Sequence, residues 1–310
     1  MNQKRNFWGI DLGGTKIEGV ILDQPSPDSV IYRHRINTEA QHGYSHIVDR
    51  IVKLVRMMES ETGLVPDKLG IGTPGTVDPS TRTMKNCNTT CLNGQTLLDD
   101  LQNALDFPVL IANDANCFAL AEAQMGIVQD VVPDYRLVFG IIMGTGVGGG
   151  IIIRGNDGQA FVLNGHEGVG GEWGHNVLEE NGYPCYCGKS GCAEQVLSGP
   201  ALQRFYKNLS GEALKLPIIL ERHLAGTDSH ATTTIERLLE KFGQGLTTLT
   251  NVLDPDAIVI GGGVGNIDLL YTEGPKRAEK YAFNPTFNTP ILRPKLGDSA
   301  GVFGAAMLTM

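Results

Sequence analysis

Residues 7–22 read FWGIDLGGTKIEGVIL. The first six are apolar apart from Asp11 and suit a buried strand. Gly13, Gly14, Thr15 and Lys16 make a turn, and residues 17–22 resume the apolar pattern, so the stretch reads as a hairpin with glycines at its tip. The arrangement recurs further on: LVFGIIM at 137–143 leads into Gly144-Thr145-Gly146-Val147-Gly148-Gly149, and GIIIR follows at 150–154. Residues 160–163 can add a further strand. Two halves that each open with strand, glycine turn and strand point to a duplicated α/β unit with a cleft between the copies; the alternative is a chance match of two hairpins. Clefts between domains are common ligand sites. The boundary falls at residue 117, giving an N-terminal α/β domain over 1–117 and a larger one over 118–298. The last helix, 299–310, returns to the first domain.

The intervening sequence supplies the other layers. Residues 30–36 suit a third strand. Ile47, Ile51, Leu54, Val55 and Met58 recur at helical spacing within 43–62, and Gly63 ends the run. Residues 69–72 form a short strand entering Thr73-Pro74-Gly75, 76–96 read as a polar loop, and 97–105 as a helix. A strand at 109–112 enters Asn113-Asp114-Ala115-Asn116, and a helix over 115–125 follows, stopped by Gly126. A long amphipathic helix covers 232–253. A buried strand at 257–260 enters Gly261-Gly262-Gly263, with a helix after it.

The glycine turns are candidate phosphate cradles. Residues 144–149 satisfy G-x-G-x-x-G, but the dinucleotide fingerprint needs a helix after the turn, whereas Ile151, Ile152 and Ile153 continue as strand. The Rossmann reading therefore fails. A glycine hairpin still offers bare N–H groups to an anion, so 13–16 and 144–149 are read either as phosphate cradles or as ordinary tight turns. Asp11 is placed to meet a Mg²⁺ on such phosphates or to cap the turn, and Lys16 to contact phosphate or solvent. Gly262 and Gly263 suit a base or ribose lying on the backbone, or a close-packed turn.

Residues 175–194 read HNVLEENGYPCYCGKSGCAE and gather His175, Cys185, Cys187 and Cys192. Four soft donors complete a tetrahedral zinc site of structural type. Buried free thiols or disulfides are the alternative, but cysteines one residue apart rarely bridge and three leave one over. The carboxylates of Glu172 and Glu194 flank this knot.

Composition removes several classes. The 310 residues include 25 basic and 34 acidic side chains, a net charge of −9, which argues against a nucleic-acid partner. No apolar run approaches the ~18 residues that span a bilayer, so no membrane role is expected. With no secretory leader legible, a cytoplasmic location with reduced thiols is expected.

Taken together, the DLGGTK run at 11–16, GTPG at 72–75, NDAN at 113–116, GTG at 144–146, GEWGH at 171–175, the C-x-C-G-x-x-G-C-x-E run at 185–194 and GGG at 261–263 resemble the ROK sugar kinases, of the actin-like ATPase and hexokinase superfamily. The resemblance implies two ribonuclease H-like domains with mixed sheets flanked by helices, a cleft between them and a zinc knot in the second. It implies ATP-dependent phosphorylation of a hexose hydroxyl, at the 6-position, with Asp114 as catalytic base. Asn113, Asp114, Glu172, His175, Glu194 and the backbone of Gly75 would hold the sugar, and His175 would serve zinc with one nitrogen and sugar with the other. Asp11, Gly13, Gly14, Thr15, Lys16, Gly144, Thr145, Gly146, Gly262 and Gly263 would hold Mg²⁺-ATP. Asn113 and Asp114 also suit a helix N-cap. The wording of 85–95 (KNCNTTCLNGQ) and 171–176 (GEWGHN) looks most like bacterial fructokinases that also accept mannose. Glucokinase and N-acetylhexosamine kinase are the alternatives within the family. A sugar-responsive regulator of the same family would carry a helix-turn-helix domain ahead of residue 11, and a non-catalytic sugar-binding protein is the remaining alternative. A homodimer is expected from the relatives.

Overall fold

The structure is a computed structural model that describes residues 6–310. In chain order the elements are β1 (Phe7–Leu12), β2 (Lys16–Leu22), β3 (Val30–Asn37), α1 (Tyr44–Thr62), β4 (Leu69–Thr73), β5 (Thr76–Val77), β6 (Met84–Lys85), α2 (Leu97–Leu105), β7 (Val109–Asn113), α3 (Asp114–Gln124) and α4 (Ile127–Val131). These are followed by β8 (Leu137–Met143), β9 (Val147–Arg154), β10 (Ala160–Val162), α5 (Glu194–Leu197), α6 (Gly199–Ser210), α7 (Leu216–Leu224) and α8 (Ser229–Leu253). The chain ends with β11 (Ala257–Gly261), α9 (Leu269–Thr272), α10 (Gly274–Glu279), β12 (Ile291–Leu292) and α11 (Ala300–Met307). No helix among the described residues is long and apolar enough to cross a membrane.

The chain divides into two compact units. Among the described residues, unit 1 comprises 6–136, 150–171 and 294–310; unit 2 comprises 137–149 and 172–293. In unit 1 a five-stranded mixed sheet has the order β3-β2-β1-β4-β7. The hairpin strands β1, β2 and β3 are antiparallel, whereas β1, β4 and β7 run parallel. Pairing sets Asp11 beside Gly72, and Thr73 beside Asn113. Asp11 and the Asn113-Asp114 pair thus share the carboxyl end of the parallel strands, where open α/β sheets bind ligands. One face of the sheet is covered by α1, whose Ile47, Ile51, Leu54, Val55 and Met58 are buried as the spacing predicts.

The other cover, α11, approaches the sheet through glycine. A Cβ on Gly70 would stand 1.8 Å from Ala305 O, and one on Gly304 would stand 1.8 Å from Cys117 O. Backbone meets backbone there, so small residues are required rather than preferred. The chain is steered into α11 by Glu122, which is fully buried in α3. Its carboxylate accepts from Lys295 N (3.0 Å), Leu296 N (2.8 Å) and Ile127 N (3.0 Å).

Unit 2 carries the parallel strands β8, β11 and β12. The core of the unit is the buried face of α8, including Ile235, Leu238, Leu239, Phe242, Leu246 and Leu249.

Several expectations need correction. Residues 76–96 are not wholly loop, since β5 and β6 pair there. The long helix starts at Ser229 because Asp228 caps it, accepting from His230 N and Ala231 N at 2.8 and 3.1 Å. The strand after the second glycine turn begins at Val147, within the glycine run. A single 3₁₀ turn over Val264–Asn266, not a regular helix, follows β11 directly.

Replacing Glu122 with Ala leaves three part-buried N–H groups without their acceptor. At ~1–3 kcal/mol for each stranded group, partly relieved by water, we expect a loss of about 3 kcal/mol in urea melts. A loss below about 1 kcal/mol would mean that Glu122 does not hold the return to α11.

Candidate metal centre and carboxylate site

The knot in unit 2 begins at a 3₁₀ turn, Trp173–His175, pinned by its tryptophan. Trp173 Nε1 donates to Gly148 O at 3.2 Å, and the ring meets Phe139 edge-on at 6.5 Å. Cys185 and Cys192 are buried and Cys187 is exposed. The donor atoms of His175, Cys185, Cys187 and Cys192 all lie within 4.8 Å of one another. Cys185 Sγ is 3.5 Å from His175 Nδ1, and Cys187 Sγ is 3.5 Å from Cys192 Sγ. With Zn–S near 2.3 Å and Zn–N near 2.0 Å, a tetrahedral zinc sets neighbouring donors about 3.5–3.8 Å apart. The four atoms therefore fit that ion. Gly188 and Gly191 have φ of 86° and 74°, which turns the chain tightly enough for three thiols to converge. The knot is tied to α8 through Glu179: its carboxylate pairs with Arg237 at 2.7 Å, and its backbone N–H bonds Gly191 O at 3.0 Å.

The remaining nitrogen of His175, Nε2, lies 2.9 Å from the hydroxyl of Tyr186. Partial desolvation, then the charges of Glu194 and Glu172, push the Tyr186 phenol up to about 12. Sequence reasoning passed over Tyr186, because a residue between two cysteines reads as a spacer. Glu194 is fixed by Val147 N–H, which donates to Oε2 at 3.2 Å. A Cβ on Gly146 would come 2.7 Å from the same oxygen, so Gly146 is glycine at least partly to admit Glu194.

The other glycine turns divide by cause. Gly13, Gly14, Gly144, Gly146 and Gly263 do not have positive φ, so they are not there to relieve backbone strain. Gly14, Gly144 and Gly263 have no atom closer than 3.6 Å to where a Cβ would stand. A side chain would fit at these three positions, and glycine instead leaves bare backbone open to a ligand. Gly262 differs: it has φ of 83° and presses on Met143 O, a close-packed turn. Gly75 is also packing-driven, because a Cβ would meet Cys87 Sγ at 2.4 Å. Thr15 and Lys16 are exposed at the first turn, which is closed by Gly13 N to Lys16 O (2.9 Å) and anchored by Thr38 Oγ1 to Gly13 O (2.7 Å). Thr145 is exposed at the tip of the second.

In unit 1, Asn113 is the N-cap of α3, its Oδ1 accepting from Asn116 N at 2.7 Å. Asp114 opens the helix and accepts from Ala115 N at 2.8 Å. Burial raises the Asp114 carboxyl above its ordinary value. Asp11 is raised to about 6, first by burial, then by the charges of Asp114 and Glu18, with Arg35 opposing. Cys117 stands in the same group: a Cβ on Gly72 would lie 3.2 Å from its Sγ and 3.5 Å from Asp11 Oδ1. Two crowded, desolvated carboxylates at a strand end gain from a divalent cation or a proton.

The raised acid also sets a pH dependence. Asp11 binds its proton more tightly folded than unfolded, so stability from this group is greatest below pH ~4 and declines as pH rises to ~6. The shift from 3.8 to about 6 corresponds to a ceiling of about 3 kcal/mol. In nucleotide-free, magnesium-free urea melts, Asp11→Asn should match the unmodified protein near pH ~3 and exceed it by about 1–3 kcal/mol above pH ~6.5. A stability difference that does not change with pH would contradict the assignment.

Residues 7–310 match the ROK family. The chain is 35% identical over 314 residues to the N-acetyl-D-glucosamine kinase of Aliivibrio fischeri, covering 98% of this chain and 99% of that one. Among solved structures it is similar to the ROK hexokinase from Thermus thermophilus, with a TM-score of 0.84, 29% identity and 97% of each chain covered. It is also similar to a ROK family glucokinase from Streptomyces griseus in complex with glucose and AMPPNP, with a TM-score of 0.74, 29% identity and 98% of each chain covered. With its family pattern running the length of both units, the chain belongs to the ROK family, as a sugar kinase of the actin-like ATPase fold.

Proposed function

We propose that this kinase moves the γ-phosphoryl group of ATP to the 6-hydroxyl of a hexose, with Asp114 as base. The supporting observation is a carboxylate fixed at the start of α3, oriented by Ala115 N–H and held by burial above its ordinary pKa. A base closer to working pH is better matched to take the hydroxyl proton as phosphoryl transfer proceeds. Asn113 keeps its cap with Oδ1 and offers its amide to a neighbouring hydroxyl. Glu172, His175 and Glu194 hold further hydroxyls, with the backbone of Gly75. Asp11, Lys16 and the turns at Gly13-Gly14-Thr15, Gly144-Thr145-Gly146 and Gly262-Gly263 take the nucleotide phosphates and ribose. Bound Mg²⁺ would neutralise phosphate charge, and Asp11 is the carboxylate we assign to hold it. Zinc, held by His175, Cys185, Cys187 and Cys192, would be structural, because four protein ligands leave no open position. All six cysteines are free, which suits the reducing cytoplasm where we place the enzyme.

For the acceptor we propose fructose, with mannose as a second substrate. That reading rests on residues 85–95, a loop closed by Asn93, which accepts from Cys87 N at 2.8 Å and donates to Cys87 O at 3.0 Å. Cys87 in turn packs on Gly75. A second reading, N-acetylglucosamine, is favoured by the name of the Aliivibrio relative. Fructose is a ketose, whereas N-acetylglucosamine is an aldose whose 2-acetamido group needs its own space and polar partners. Initial rates with fructose, mannose, glucose and N-acetylglucosamine separate them. Highest kcat/KM on fructose supports the first reading, and highest on N-acetylglucosamine replaces it. Asp114→Asn should lower kcat by about 10²–10⁴-fold, while sugar affinity by calorimetry changes less than about 5-fold. Turnover within 10-fold of the unmodified enzyme would remove Asp114 from its role.

A further inference from the structure

The hydroxyl of Tyr186 occupies the one hydrogen-bonding position that the His175 reading assigns to sugar. Its Oη is 2.9 Å from His175 Nε2, and its ring meets the imidazole edge-on at 5.1 Å and 85°. Nδ1 is the nitrogen turned to the thiols, 3.5 Å from Cys185 Sγ. An imidazole that ligates a metal through Nδ1 carries its single proton on Nε2. Nε2–H therefore donates and Tyr186 Oη accepts. A sugar hydroxyl that takes this N–H must displace the phenol, since one hydrogen does not serve two acceptors at full strength.

Tyr186 is built to be displaced. It is 77% exposed, the largest exposure of any aromatic residue among the described residues after Phe283. It sits between Cys185 and Cys187 of the four-donor set, and its side chain has solvent to swing into. The hydrogen bond and the edge contact both go to the same imidazole.

We propose that Tyr186 is a plug on the sugar site: its hydroxyl caps His175 Nε2–H when no sugar is bound and swings out when a hexose hydroxyl replaces it. The proposal rests on the assignment of His175 as a sugar contact. Every hexose that binds must first break the tyrosine hydrogen bond, so the plug lowers affinity for all of them by one common factor. It sets the sugar concentration at which the enzyme fills, without choosing among sugars.

The test compares zinc-loaded unmodified enzyme with Tyr186→Phe and Tyr186→Ala, measuring zinc content, sugar affinity by calorimetry, and KM for sugar and for ATP. Loss of one modest hydrogen bond corresponds to a ~2- to 10-fold change in affinity. Tyr186→Phe should keep its zinc, bind sugar ~2- to 10-fold more tightly, and do so by the same factor for each hexose accepted. KM for ATP and kcat should stay within about 2-fold. Tyr186→Ala, lacking the ring contact as well, should bind sugar at least as tightly. Unchanged or weakened sugar binding in both variants would overturn the plug while leaving the kinase reading in place, because the unmodified enzyme still binds sugar. Loss of zinc in Tyr186→Phe would make the hydroxyl a brace of the knot and also overturn the plug. An unmodified enzyme that binds no hexose would overturn both readings.

Discussion

An imidazole has two nitrogens and, when neutral, one proton, and much of unit 2 is arranged around that limit at His175. Three thiols converge on Nδ1, and their convergence depends on Gly188 and Gly191 adopting a backbone that other residues resist. The knot is not free-standing: Glu179 ties it to α8, and Trp173 ties its first turn to Gly148. Once Nδ1 is committed, the direction and protonation of Nε2 follow, and Glu194, braced by Val147 N–H, is set at the end of the same segment. The four-donor knot and the polar groups beside it are one construction, so a metal role and the proposed sugar contact would meet at the same residue.

Unit 1 rests on a different balance. Bringing Asp11 and Asp114 to the carboxyl end of the parallel strands desolvates two acids and sets like charges near each other. That arrangement is unfavourable in the empty protein and favourable once a cation or a transferable proton is present. The surrounding scaffold holds it by close packing. Helix α11 lies on β1 and β4 through Gly9 and Gly70 and on α3 through Gly304. Glu122 holds the entry to that helix with its carboxylate. Rigidity at these points keeps the two acids together against their repulsion.

The sequence was most legible where a rule of chemistry or periodicity applies at short range. The glycine hairpin of 13–16, the buried face of α1 and the four-donor set at 175–192 were each readable because spacing alone specifies them. Asn113 had two readings, and the N-cap is what its Oδ1 does in the folded chain. Gly146 was read as a phosphate turn, yet its Cβ position meets Glu194, a partner 48 residues away that no local pattern reveals. The same holds for Glu122, whose backbone partners at Lys295 and Leu296 lie far along the chain, and for Tyr186, whose neighbour His175 is brought near only by the knot. The pairing of β5 with β6 was missed because strands of two residues have no periodicity to detect.

Phosphoryl transfer to a sugar hydroxyl, rather than to water, is the central chemical claim. ³¹P NMR of the zinc-loaded protein with Mg²⁺-ATP and fructose reads it directly. A sugar monoester resonance growing in step with ADP, and absent from the Asp114→Asn sample, is the predicted result. Growth of inorganic phosphate in place of the monoester, or ATP left unchanged with every hexose tried, would contradict it.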